Sequence, residues 1–171
     1  MPSGSSARCW AAVSGGIQTL TGTPRHYTAT ITGVDWNHNR HYHATLLREV
    51  PPRCGRALDV GCGDGVFARE LASLTGHVDA IDSDAAVLHR TRDQSKAPAN
   101  LSFILADFLS YPVAAEAYDF VAALASLHHL PLEPALAKMT RSLRPGGVLA
   151  VLGIWPSPRL GTRSSVARPS W

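Results

Sequence analysis

The chain has 171 residues, of which 45% are hydrophobic and 17% are charged, a composition typical of a folded domain rather than of a disordered chain. The formal net charge of +3 is small and the basic residues are scattered, so the charge favours no nucleic-acid partner. No apolar stretch is long enough to span a bilayer. We therefore expect one globular domain without a membrane span.

The cysteines and histidines indicate neither a disulfide framework nor a metal site. Cys9, Cys54 and Cys62 are odd in number and share no short ligand spacing, which is typical of a reduced, cytoplasmic protein. The histidines within residues 36–43 have no cysteine or carboxylate at a recognised ligand spacing, so we expect no metal there.

Composition divides the chain into three zones. Residues 1–34 are rich in Gly, Ser and Thr without a sustained period, which predicts a mobile, disordered extension. Residues 35–155 alternate short apolar runs with helical patterns and predict the folded domain. Residues 156–171 return to Pro, Ser and Arg without a pattern, so we expect a disordered tail.

The folded zone predicts elements in the order β-α-β-α-β-β-α-β. The five predicted strands are residues 56–61, 77–82, 101–107, 118–126 and 147–155. The first predicted helix carries Phe67, Leu71 and Leu74 on one face, and Asp84 is the expected N-cap of the second. The last helix is expected to end at the Pro-Gly-Gly sequence 145–147. Apolar strands that alternate with helices indicate a doubly wound, mostly parallel, Rossmann-like α/β sheet that binds its ligand at the carboxyl ends of the strands.

A glycine-rich turn follows the first predicted strand and is preceded by a carboxylate. Glycines at 61, 63 and 65 allow a sharp turn and a close approach of a ligand to the backbone. A nicotinamide-binding turn would have glycine where Val66 stands, and a P-loop would end in Gly-Lys-Ser/Thr, which is absent. Asp59 would repel a pyrophosphate but suits an ammonium group. S-adenosylmethionine carries an ammonium group, a sulfonium and no phosphate, and therefore fits this turn better.

Two further acids end the next two predicted strands. Asp82 is placed to accept hydrogen bonds from both ribose hydroxyls. Asp107 could accept from an adenine amino group, with Phe108 or Leu109 covering the ring. Three residues of a helix expected before the first strand would also touch the ligand or simply pack: Trp36, His38 and Tyr42.

The ordered set of motifs resembles the class I S-adenosylmethionine-dependent methyltransferases, in particular the branch that includes ubiquinone and menaquinone biosynthesis enzymes. The motifs are LDVGCGDG, IDSD, LADF, YDFVAALASLHHL and LRPGGVLAVLGIW, and the resemblance covers residues 36–155. It implies the transfer of a methyl group from S-adenosylmethionine to an O, N or C atom of a small-molecule acceptor.

The resemblance also implies where the cofactor is held. Asp59 and the three glycines would bind the methionine end, Asp82 the ribose and Asp107 the adenine, while residues 124–126 would border the cofactor below the substrate. The full expected set is Asp59, Gly61, Cys62, Gly63, Gly65, Asp82, Ser83, Ala106, Asp107, Phe108, Leu124, Ala125 and Ser126.

Two adjacent histidines follow the fourth predicted strand, where the acceptor would lie. His128 or His129 could act as a general base or orient the acceptor, or both could be structural. Methyl transfer from a sulfonium often needs little beyond in-line alignment, so the reaction does not depend on a base here.

The family fold has two more strands, antiparallel beside the fifth, and nothing after Trp155 predicts them. We therefore expect an open apolar edge on the fifth strand, available to a second copy or another chain. The tail resembles the product of a truncated or frame-shifted reading frame, and the substrate wall is the part that it would affect. Two alternatives follow: a non-catalytic or partner-dependent fragment that at most binds the cofactor, and a nicotinamide oxidoreductase, against which the glycine spacing counts.

Overall fold

The computed structural model describes residues 8–13, 16–20, 39–93 and 97–152, and the fold is given for these residues. The strands are β1 (Arg8–Val13), β2 (Gly16–Leu20), β3 (Arg56–Val60), β4 (His77–Asp82), β5 (Leu101–Leu105), β6 (Tyr118–Leu124) and β7 (Leu143–Leu152). The helices are α1 (Asn39–Leu47), α2 (Val66–Ala72), α3 (Ala85–Asp93) and α4 (Leu132–Ser142), with a short 3₁₀ turn at Leu127–His129. The strands form one sheet in the order β2-β1-β7-β6-β3-β4-β5.

The five strands from β7 to β5 are all parallel, which confirms the predicted Rossmann-like α/β sheet. Successive residues of a strand point to opposite faces, so Ala57 packs in one core cluster and Leu58 in the other. The first cluster includes Leu46, Phe67 and Leu88, contributed by α1, α2 and α3, and the second includes Met139 of α4. Helices therefore cover both faces, which explains why the central strands carry apolar residues on both sides.

Two helix ends differ from the prediction. The helix α2 ends at Ala72, where Ser73 N and Leu74 N bond to carbonyls three residues back, and this tighter turn leaves Leu74 49% exposed rather than on the buried face. The helix α4 ends at Ser142, before the Pro-Gly-Gly sequence, which lies within β7. The backbone N–H groups of Glu116 and Ala117 donate hydrogen bonds to the carbonyls of the last two helical residues. With these carbonyls satisfied, the chain passes directly from helix to strand.

The N-terminal strands correct another expectation. Residues 8–13 and 16–20, expected to belong to a disordered extension, form the antiparallel pair β1–β2, and β1 lies parallel to β7 from Arg8 opposite Val148 to Ala12 opposite Leu152. The β7 edge that we expected to be open for another chain is thus occupied by the same chain. The expected C-terminal tail, 156–171, lies outside the described residues.

Within the described part of the chain, no helix combines the length and the apolar character needed to cross a membrane.

Candidate functional site

The candidate site lies at the carboxyl ends of β3, β4 and β5, which are adjacent and parallel. The segments that leave these strands are held side by side by the backbone. Gly61 N and Cys62 N donate to Ile81 O at 2.8 and 3.1 Å, and Ala106 N donates to Asp82 O at 2.9 Å. The structure therefore brings the three predicted segments that carry Asp59, Asp82 and Asp107 to one rim of the sheet, as parallel topology requires.

The three glycines of the turn have different roles. Gly61, Gly63 and Gly65 have φ values of 72°, 54° and 69°, in the left-handed region that favours glycine. A Cβ on Gly61 would lie 2.2 Å from Ser126 Cβ, and one on Gly65 would lie 2.7 Å from Thr91 Cγ2. A Cβ on Gly63 would meet no described residue within 4 Å. Gly61 and Gly65 therefore permit packing, whereas the Cα of Gly63 borders open space.

Asp59 is buried beneath this turn with an unsatisfied oxygen. It is 1% exposed, and its Oδ2 has no hydrogen-bond partner among the residues that the structure describes. Burial, and then the charges of Asp82 and Asp64, raise the pKa of Asp59 to about 7. A buried carboxylate without a partner is unfavourable, and a cationic group at the turn would relieve it. The residues present thus fit a ligand that carries an ammonium group.

Asp82 connects the glycine turn to the start of α3. Its Oδ2 accepts from Gly63 N at 2.8 Å and its Oδ1 from Asp84 N at 2.9 Å. A carboxylate oxygen has two lone pairs, so both oxygens can also accept from a ligand hydroxyl. Asp84 Oδ1 accepts from Ala86 N and Val87 N, which confirms Asp84 as the N-cap of α3, and Ser83 is exposed between the two acids.

Asp107 is exposed and begins a single helical turn. Its Oδ1 accepts from Leu109 N at 2.8 Å, and its carbonyl accepts from Tyr111 N at 2.9 Å. Ala106 and Leu109 are half-buried at the rim. Phe108 is only 3% exposed and packs in the core cluster of α4, so Leu109 rather than Phe108 is placed to cover a ring bound at the rim.

The segment after β6 crosses the end of β3. Ser126 Oγ donates to Val60 O at 2.5 Å, and Ala125 N donates to Leu152 O at 2.7 Å. Ala125 has φ 51°, a left-handed conformation that is uncommon for alanine. Ser126 thus packs against Gly61, and Leu124 and Ala125 are half-buried before it, while their predicted contact with the cofactor stays a prediction.

The adjacent histidines lie on the 3₁₀ turn that follows. Both are exposed, and their ring centroids are 3.8 Å apart. Partial burial, and then the neighbouring His129, lower the pKa of His128, which favours its neutral, proton-accepting form.

The profile of a family described as "Methyltransferase domain" matches residues 57–147. The chain belongs to this methyltransferase family. An uncharacterized methyltransferase of Mycobacterium tuberculosis is 39% identical over 128 residues, which cover 74% of this chain and 64% of that protein. Nodulation protein S of Rhizobium tropici is 28% identical over 70% of this chain and 51% of its own length. The chain thus spans between about half and two thirds of these curated relatives.

Two solved structures share the fold. The N-methyltransferase NodS from Bradyrhizobium japonicum, in complex with S-adenosyl-L-homocysteine, matches with a TM-score of 0.58 and 27% identity over 64% of this chain and 59% of NodS. The [4+2]-cyclase SpnF matches with a TM-score of 0.59 and 26% identity over 66% of this chain and 43% of SpnF. The name of the second protein indicates that the fold alone does not decide the reaction.

Two residues that stabilise the methyltransferase turn were missed by the sequence analysis. Thr91 Oγ1 lies 3.1 Å from Gly63 O and 2.9 Å from Val87 O, and its single proton is shared between them. Arg69 donates to Thr91 O at 2.6 Å and to Asp64 O at 3.2 Å. The available signal is a threonine, Thr91, on the same face of α3 as Val87 and Leu88.

The helix α1 attaches to the domain through a side-chain pair. His43 Nδ1 lies 2.8 Å from Glu70 Oε2, and the His43 ring packs edge-on against Phe67. Tyr42 is half-buried against the same core cluster. Trp36 and His38, which we expected to approach the ligand, lie outside the described residues.

Proposed function

We propose that the chain binds S-adenosylmethionine and transfers its methyl group to an O, N or C atom of a small-molecule acceptor. The observation that supports this most directly is the unsatisfied Oδ2 of buried Asp59 beneath a glycine turn, with space beside the Cα of Gly63 that no described residue fills. Family membership and the S-adenosyl-L-homocysteine bound by NodS point to the same ligand.

Different residues of the rim would bind different parts of the cofactor. Asp59, Gly61 and Gly63 would hold the methionine end, with the carboxylate of Asp59 opposite the ammonium group. Asp82 would accept from the ribose hydroxyls, and Asp107 from the adenine amino group. The remaining contacts would come from Cys62, Gly65, Ser83, Ala106, Leu109, Leu124, Ala125 and Ser126. When bound, the cofactor supplies a methyl group on an electrophilic sulfonium.

The chain's own contribution to the transfer is alignment of the acceptor. His128 and His129 are exposed after β6 and would orient the acceptor, and the lowered pKa of His128 keeps this imidazole able to accept a proton. The free, buried thiols of Cys54 and Cys62 support a cytoplasmic site of action, where thiols remain reduced.

A binding measurement tests the proposal. In titration calorimetry, S-adenosylhomocysteine should bind the wild-type chain, and Asp82→Ala should weaken binding by at least about tenfold, the effect of losing hydrogen bonds to a charged group. The matched control is Asp84→Ala, which removes the α3 cap and costs about 1 kcal/mol of stability but leaves the affinity unchanged. A folded wild-type chain that binds no S-adenosylhomocysteine would contradict the proposal.

The second candidate is a methyltransferase-like chain that binds the cofactor without turnover. It is favoured by the [4+2]-cyclase SpnF, whose name indicates that a chain of this fold need not transfer a methyl group. Incubation with S-adenosylmethionine labelled on the methyl group and a panel of small acceptors separates the two functions. Binding without transfer to any acceptor, by a chain that remains monomeric, would support the second candidate.

A further inference from the structure

The turn that carries Asp107 is stabilised at its two ends by different groups. At its amino end, the Asp107 carboxylate accepts from Leu109 N at 2.8 Å. At its carboxyl end, Lys138 Nζ donates to Leu109 O at 2.8 Å and to Tyr111 O at 2.5 Å. An ammonium group at the carboxyl end of a helical turn satisfies carbonyls that have no partner within the turn.

Lys138 also lies over the ring that anchors this turn. Its Nζ is 5.2 Å from the centroid of Phe108, within the range of a cation–π interaction, and Phe108 is buried in the core. The helix that carries Lys138 is itself fixed to the sheet, because Ala135 and Met139 of α4 are completely buried. The lysine therefore joins a rigid helix to a surface turn.

Lys138 and the Asp107 carboxylate lie at opposite ends of this turn. The lysine lies at the carboxyl end of the turn, whereas the Asp107 carboxylate lies at its amino end, beside Ala106, which bonds to Asp82 O. Burial, and then the charge of Arg141, lower the pKa of Lys138, whereas Asp107 raises it. Lys138 and Asp107 thus act on each other electrostatically without a direct hydrogen bond between their side chains among the contacts of the described residues.

We propose that Lys138 is a positioning residue, which fixes the Asp107 turn so that the Asp107 carboxylate meets the adenine amino group. This inference rests on the proposed function. The lysine does not touch the cofactor, so its removal should affect recognition of the 6-amino group and leave the rest of the cofactor contacts unchanged.

The test compares two nucleosides in the wild-type chain and in Lys138→Met. S-inosylhomocysteine has an oxygen where S-adenosylhomocysteine has the 6-amino group. The wild-type chain should prefer the adenosyl compound by about tenfold, the effect of one hydrogen bond to a carboxylate. The variant should lose this preference because its affinity for the adenosyl compound falls, while its affinity for the inosyl compound stays within about twofold.

Three further variants control the comparison. Arg141→Met removes the same charge one turn further along α4, from an exposed position, and should keep the preference. Asp107→Asn should remove the preference, and adding Lys138→Met to it should change nothing further, since coupled residues are not additive. Lys138→Arg supplies two or more donors to the same carbonyls and should restore part of the preference.

Each outcome bears on one proposal. If the folded wild-type chain binds neither nucleoside, the proposed function is wrong, and the inference falls with it. If it binds both equally, or if Lys138→Met discriminates as the wild type does, the role of Lys138 is wrong and the proposed function stands. An equal loss of affinity for both nucleosides in Lys138→Met would indicate a merely structural lysine and would also overturn the inference.

Discussion

Two buried aspartates on neighbouring strands have opposite surroundings. Asp79 on β4 is 4% exposed, and its Oδ2 accepts from the Arg56 guanidinium at 2.8 Å and from the Tyr118 hydroxyl at 2.8 Å. Its Oδ1 lies 3.2 Å from His77 Nε2. Asp59 on β3 is 1% exposed and has an oxygen with no partner among the described residues.

The contrast separates a complete side-chain network from the proposed cofactor site. The Asp79 network lies toward the amino ends of the strands and pairs both carboxylate oxygens, so removing one partner from it should be destabilising. Asp59 lies at the carboxyl rim, where the fold leaves a charge unpaired at a cost in stability. Such a cost is typical of functional positions, and a bound cation would remove it.

The largest expected change in the free energy of unfolding is at the Asp79 network. Asp79→Ala should lower the free energy of unfolding by about 3 kcal/mol, because it leaves the Tyr118 hydroxyl and the Arg56 guanidinium without their shared acceptor. Urea unfolding at pH 8 measures this. Tyr118→Phe is the matched partial deletion and should lose less. A change below about 1 kcal/mol in Asp79→Ala would remove the contrast between the two aspartates.

At the rim, a substitution is expected to increase the free energy of unfolding rather than to lower it. Asp59→Asn should raise the free energy of unfolding by about 2 kcal/mol at pH 8, because a neutral amide replaces a buried, unpaired charge of similar shape. The same variant should bind S-adenosylhomocysteine at least about tenfold more weakly, since the ammonium group loses its carboxylate. Both are measured on the same preparations, with Asp79→Asn as the control that loses stability instead. A loss of stability in Asp59→Asn would show that Asp59 has a structural partner.

The smallest expected effect is the change with pH of the stability difference between Asp59→Asn and the wild type. The pKa of Asp59 is about 7 in the folded chain and near 3.8 in the unfolded one, so the folded state binds the extra proton between these values. The contribution of protonated Asp59 to the free energy of unfolding is therefore fully present below about pH 4 and is lost as the pH rises to about 7. The advantage of Asp59→Asn over the wild type should grow across this window towards its value at pH 8, by at most about 1.4 kcal/mol per pH unit, the limit for a single proton. Unfolding curves at several pH values measure this growth, and a constant difference would mean that Asp59 does not titrate there.

The amino-acid sequence determined the parts of this protein that depend on neighbouring residues. The glycine turn, the cap at Asp84 and the succession of the five parallel strands along the chain all follow from short patterns, because turn geometry and strand periodicity are local. The place of Asp59, Asp82 and Asp107 at one rim follows as well, since parallel strands end at the same edge.

Tertiary structure alone decided the rest. The pairing of β1 with β7 joins residues at opposite ends of the chain, and no local pattern in residues 8–13 indicates it. The contacts of Lys138 with Leu109 O, and of Asp79 with Tyr118, join elements whose relative positions are set only when the cores pack. Asp59 and Asp79 are the same residue type on similar apolar strands, and only the folded structure leaves one paired and the other unpaired, because a partner's distance is a property of the packed chain and not of its sequence neighbours.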